Sequence, residues 1–251
     1  MDSNRDVASR LPGDLWSALA LLTRLPVPNH APRGADAAWA WPVVGIVIGG
    51  IAALVVVLAT FIGLPAGVTA ALALATMAIL TGALHEDGLA DTADGFFGGR
   101  DPVRRLAIMK DSHIGSFGTL ALILVTLARW SALAALCATG GAAMALIATG
   151  ALSRVPMVAL MAALPNARGS GLSQSVGRPD RGVVLIAVGI SGVLGLVLAG
   201  WIALWIVLAL AALTLGLGQL ARRKIRGQTG DVLGASQQLA EALCLALLAA
   251  A

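Results

Sequence analysis

Seven apolar runs, each near the length that crosses a bilayer, constrain this chain more than any other feature. They lie at roughly 43–62, 66–84, 117–138, 141–163, 183–199, 201–217 and 236–250. About 20 apolar helical residues cover the hydrocarbon layer. A spanning segment must also satisfy its own backbone groups, which continuous apolar runs do as helices. The expected fold is an all-α, polytopic integral membrane bundle of six or seven transmembrane helices. The last three runs are short or closely joined, which leaves the count open. Composition agrees, since 12% of residues are charged where soluble domains carry about 25%. Residues 1–251 read as one integral domain, with 1–40 as a cytoplasmic or interfacial lead-in holding a short amphipathic helix at 14–24. A polar start, followed by Arg24, Pro26 and Pro28, argues against a signal peptide.

Charge placement orients the bundle. Of 17 Lys and Arg residues, fifteen fall before the first run or in the segments 85–116, 164–182 and 218–235. The glycine-bearing turns between the other runs, at Gly63, Gly140-Gly141 and Gly200, carry no charge. By the positive-inside rule the basic side is cytoplasmic, in the inner membrane of a bacterial cell. Trp39, Trp41 and Trp201 are expected at the membrane interface. The bilayer accounts for the net charge of +4; with no Tyr and 4% aromatics, nucleic-acid binding by base stacking is not expected. Cys137 and Cys244 lie in apolar context and read as packing residues. Faces of Gly and Ala permit close helix packing and self-association into a homo-oligomer.

The polar chemistry gathers on the basic side. Glu86, Asp87, Asp91 and Asp94 place four carboxylates in nine residues, directly after an apolar run. On a helix, Asp87, Asp91 and Asp94 fall within roughly a 60° arc. Like charges so placed repel, unless a hard cation such as Mg²⁺ binds them together with substrate phosphates. Downstream, Asp101-Pro102 reads as a helix start, and Lys110-Asp111-Ser112-His113 leads into the third run. Gly230-Asp231-x-x-Gly234 follows the basic segment 222–226. Carboxylates, cations, hydroxyls and glycines together suit metal-assisted phosphoryl transfer. His85 is expected to hydrogen-bond or cap. Arg129 and Arg154 fall inside runs, where an unpaired charge is costly. Each either forms a structural ion pair, with Glu241 as the obvious partner, or faces a polar substrate cavity.

Four stretches resemble the cobalamin synthase family: Leu22–Pro28, Thr81–Phe96, Ile108–Gly118 and Thr229–Ala235. The resemblance runs from residue 22 to 241. It departs at Glu86, where the family often has Asp or Leu. It implies an Mg²⁺-requiring membrane enzyme that joins adenosylcobinamide-GDP to α-ribazole, giving adenosylcobalamin and releasing GMP. α-Ribazole 5′-phosphate is taken in the same way. On this reading Glu86, Asp87, Asp91 and Asp94 hold metal, with Asp94 or Asp91 available as the base. Lys110 and Arg154 contact phosphates, Asp111, Ser112, Asp231 and His85 position substrate, and the 5′ oxygen of ribazole attacks. One rival is a CDP-alcohol phosphotransferase, although Leu89-Ala90 stands where that family has an Ala-Arg pair. Another is a cation-coupled transporter, which would place its acids at mid-depth.

Overall fold

The computed structural model describes residues 3–251. Twelve α-helices account for the described architecture: α1 Ser3–Leu22, α2 Trp41–Phe61, α3 Ala66–Thr81, α4 Leu84–Gly98, α5 Pro102–Ile108, α6 Ser116–Thr139, α7 Ala142–Leu152, α8 Val155–Ala163, α9 Leu172–Val176, α10 Arg181–Ala199, α11 Ile202–Ile225 and α12 Gly230–Ala249. Six spans are long and apolar enough to cross a membrane: α2 with the 3-10 turn before it, α6, the α7–α8 pair, α10, α11 and α12. The expected all-α multi-pass bundle is therefore observed. Hairpin turns form where Gly63, Gly140 and Gly200 adopt positive φ. The lead-in helix is longer than expected and ends at Leu22.

The last three runs, which left the count open, each form a span, and the count turns instead on the 66–84 run. Helix α3 has only 16 residues and stops at Gly82. Gly82 and Ala83 are both left-handed, with φ of 64° and 57°, so the chain turns by 88° into α4. Gly82 tolerates this conformation, but at Ala83 it costs roughly 1–2 kcal/mol. The acidic helix is thus a separate limb rather than the end of a straight span.

Small residues bring the helices close. Gly45 of α2 faces Gly150 of α7, and a Cβ on either would collide with the other's backbone. A Cβ on Gly88 of α4 would lie 2.8 Å from the Asp231 carbonyl oxygen of α12. Dispersion and close backbone approach hold such bundles, because lipid gives helices no hydrophobic reason to associate. Lipid-facing side chains such as Leu54, Val57, Val197 and Leu208 are correspondingly exposed.

Candidate active site

Helix α4 forms the wall between two clefts. The first, of about 740 Å³, lies against the start of α12, the ends of α1 and α8, and the segment 168–176. Its lining includes Leu22, Trp41, His85, Asp87, Met157, Met161, Arg168 and Asp231. The second, of about 990 Å³, lies against the 109–114 segment and is lined by Glu86, Asp87, Asp91, Lys110, Asp111, Ser112 and His113. Asp87 lines both. We refer to them as the Trp41 cleft and the Lys110 cleft.

The structure brings together Asp87 and Asp91 from α4 and Asp231 from the first turn of α12. Asp231, Asp87 and Asp94 all act on Asp91 as like charges, and only the Arg168 guanidinium offsets them. Arg168 Nη2 lies 2.8 Å from Asp231 Oδ2, which also accepts from the Thr229 hydroxyl at 3.2 Å. Thr229 is in turn the N-cap of α12, an ordinary position for a hydroxyl residue. Among the described residues, no three His, Cys, Asp or Glu side chains converge closely enough to enclose a metal ion.

Two of the acids expected at the metal have other partners. Asp94 is buried, and its Oδ2 and Oδ1 accept from the backbone N–H groups of Gly115, at 2.7 Å, and Gly118, at 2.9 Å. It caps the start of α6, where unpaired N–H groups favour a carboxylate. Glu86 turns the other way, to Gln238 Nε2 at 3.1 Å and Arg129 at 3.4 Å. Asp94 is thus placed as a cap of α6, and Glu86 bonds into a buried network while also lining the Lys110 cleft.

That network also holds Arg154, which was expected at a substrate phosphate. Arg129, 3% exposed, pairs with Glu241 and donates to Gln238 Oε1 at 2.5 Å. Gln237 joins Glu241 Oε2, at 2.5 Å, to Ser153 Oγ, at 3.1 Å. Arg154 is buried beside them and donates to the Gly150 carbonyl at 2.6 Å. It lines neither cleft. Glu241 is therefore bonded to Arg129 instead of Arg154. His85 touches both regions: it borders this network and the Trp41 cleft, and its Nε2 has no partner. The expected hydrogen bond or cap at that nitrogen is not formed.

Lys110, Asp111 and Ser112 stand together on the lip of the Lys110 cleft. His113 Nδ1 lies 2.7 Å from Asp111 Oδ1. Hydrogen bonding to Asp111 holds His113 above the ordinary histidine range, and the same bond holds Asp111 below the usual carboxylate range. Asp101 caps α5 as expected, its Oδ1 accepting from the Arg104 N–H at 2.9 Å. Lys224 donates to the Phe96 carbonyl at 2.9 Å, tying the end of α4 to α11.

Arg168 and Trp41 carry site geometry that sequence reasoning missed. Arg168 counted there only as a topology signal, although its setting, Asn166-Ala-Arg-Gly-Ser-Gly, is that of a small-residue binding loop. Trp41 was expected at the interface, but it is 2% exposed and its indole N–H is unpartnered. Trp201 is exposed, as an interfacial residue would be.

Comparison with known proteins follows the same line. A family model described as cobalamin-5-phosphate synthase matches residues 14–249. Relatives named adenosylcobinamide-GDP ribazoletransferase include one from Bradyrhizobium diazoefficiens, 46% identical over 242 residues, covering 94% of this chain and 93% of the relative. One from Sinorhizobium medicae is 45% identical over 253 residues, covering 95% and 96%. One from Brucella ovis is 43% identical over 247 residues, covering 90% and 92%. No solved structure matches the chain. Match length and identity together establish that the chain belongs to the cobalamin-5-phosphate synthase family.

Proposed function

We propose that the chain joins adenosylcobinamide-GDP to α-ribazole or its 5′-phosphate at the wall formed by Asp87, Asp91 and Asp231, releasing GMP with the help of Mg²⁺. The names of its relatives support the reaction. The observation that carries the site is the excess of carboxylate there: three acids face one arginine, beside Lys110 on the lip of the adjoining cleft. Such an excess is unfavourable until a cation joins it. The absence of an all-protein cage is compatible with Mg²⁺, which takes one or two carboxylates and completes its shell with water and substrate phosphates. Asp87 and Asp91 would hold the ion. When bound, it neutralises charge on the leaving phosphate.

The chain's own residues do the rest. Lys110, on the lip of the cleft, offsets diphosphate charge. Asp231 Oδ2 is taken by Arg168 and Thr229, so Oδ1 is the atom that receives the proton of the attacking hydroxyl. That hydroxyl is not the 5′ one expected from the sequence. A product carrying a 5-phosphate, as the family description has it, keeps its 5′ oxygen esterified, so a ribose ring hydroxyl attacks. That oxygen forms a bond to the phosphorus bearing cobinamide, and the bond to the GMP phosphate breaks with its electron pair on GMP. The basic segments orient the site to the cytoplasmic side of the inner membrane, with both substrates arriving from water.

The test is GMP release from adenosylcobinamide-GDP by membranes containing the protein, with cobalamin or its 5′-phosphate formed in equal amount. Activity should vanish with chelator and return with Mg²⁺. Release of CMP from CDP-diacylglycerol instead would assign the chain to phospholipid synthesis.

A further inference from the structure

We infer that the Trp41 cleft is the acceptor site and that Arg168 grips the 5′-phosphate of the acceptor; this rests on the reaction proposed above. An in-line displacement needs attacking and leaving oxygens on opposite sides of phosphorus. The two clefts meet at Asp87, the residue that lines both. Their chemistry differs in a way that sorts the substrates. The Trp41 cleft has an apolar floor of Leu22, Trp41, Met157 and Met161, which suits the flat, apolar benzimidazole of ribazole. The Lys110 cleft is lined by Lys110, Ser112 and His113 with the α4 acids, which suits a metal-bound diphosphate whose large corrinoid stays outside.

Two residues that line the Trp41 cleft carry buried groups without partners: the indole N–H of Trp41, 2% exposed, and Nε2 of His85, 1% exposed, which also borders the Arg129 network. Buried polar atoms of this kind are rare unless a ligand or water completes them. Arg168 is also incompletely used. Its Nη2 pairs with Asp231 Oδ2 at 2.8 Å, which leaves the rest of the guanidinium for a ligand. The loop that presents it is preorganised. Asn166 Oδ1 accepts from the Arg168 and Gly169 N–H groups at 2.9 Å, and the Ala167 N–H donates to the Gln228 carbonyl at 2.8 Å. Ser170 and Ser173 add hydroxyls to the same wall. A planar guanidinium held this way matches a phosphate with two parallel bonds. The ribose then spans from Arg168 to Asp231, which puts a ring hydroxyl at the proton acceptor.

The experiment compares ribazole 5′-phosphate with ribazole as acceptors for the membrane-embedded protein. Arg168→Gln should lower the ratio of their kcat/KM values about tenfold to a hundredfold, the worth of a charged hydrogen bond. The loss should sit in KM for ribazole 5′-phosphate, with Arg168→Lys recovering part of it. An unchanged ratio, or an equal rise in KM for adenosylcobinamide-GDP with both acceptors, would overturn the assignment. In the wild-type protein, which needs no variant to fold, inorganic phosphate should compete with ribazole 5′-phosphate. Competition against adenosylcobinamide-GDP alone would also overturn it. Wild-type protein that releases no GMP with either acceptor defeats the reaction itself, and the cleft assignment with it.

Discussion

The network around Arg129 and the wall at Asp87 draw their carboxylates from the same two helices, α4 and α12, yet they are balanced differently. In the network two arginines, Arg129 and Arg154, meet two glutamates, Glu86 and Glu241. At the wall three aspartates meet Arg168 alone. Adjacent residues of α4 differ in their partners: Glu86 bonds into the network at the edge of the Lys110 cleft, and Asp87 borders both clefts. Charge balance marks the part that holds the broken helix in place. On the proposed reaction, imbalance marks the part that takes up a cation and phosphates. A buried group matched by protein has little left to offer a ligand, whereas an unmatched cluster is a candidate for chemistry.

The largest expected effect tests the unbalanced side. Asp87→Asn removes one charge from a residue that borders both clefts. Metal-based charge stabilisation is worth several kcal/mol, so turnover should fall about a thousandfold. Thermal stability should hold or rise, because repulsion within the wall drops. Near wild-type GMP release from this variant would erase the distinction between wall and network.

How much of this was readable from residues follows from how local each feature is. Six of the seven spans, the glycine turns and the Asp101-Pro102 helix start are set by neighbours in sequence and appear where expected, whereas the 66–84 run breaks at Gly82-Ala83. The acidic run was legible as a cluster, but not its division. Asp94 reaches Gly115 and Gly118, more than 20 residues away. Glu86 reaches Gln238, at a separation of 152. Helical periodicity puts Asp87, Asp91 and Asp94 on one face and says nothing about which partner each will meet. The intramembrane arginines show the same limit. Their cost required partners, but the pairing of Glu241 with Arg129 depends on how α6 and α7 pack against α12. Arg168 was hidden because a basic residue in a loop already had a sufficient explanation in topology.

The balanced side gives the next largest effect, on stability. Arg129→Met removes the hydrogen-bonded cation of Glu241 and leaves that carboxylate bonded to Gln237, with Arg154 as the cation still beside it. Breaking a buried pair from one side costs about 3–5 kcal/mol. The protein should unfold at a clearly lower temperature in detergent. Adding Glu241→Gln should recover part of the loss, since the stranded charge is then gone. If Arg129→Met unfolded like wild type, the network would not be what fixes α4.

Asp94 gives the smallest effect and the sharpest division, because it belongs to the acidic cluster by sequence and to the scaffold by contact. Asp94→Asn keeps the shape but replaces one acceptor oxygen with an NH₂ group that faces a backbone N–H. One capping bond is lost, at about 1–2 kcal/mol, and the start of α6 loosens. The 109–115 segment that carries Lys110 should shift with it, lowering turnover by no more than about tenfold. Asp94→Asn should therefore lose stability and keep most activity, the reverse of Asp87→Asn. Thermal unfolding and GMP release measured on both variants decide the point. A thousandfold loss of turnover in Asp94→Asn at unchanged stability would return Asp94 to the metal site and move the boundary between wall and scaffold one turn along α4.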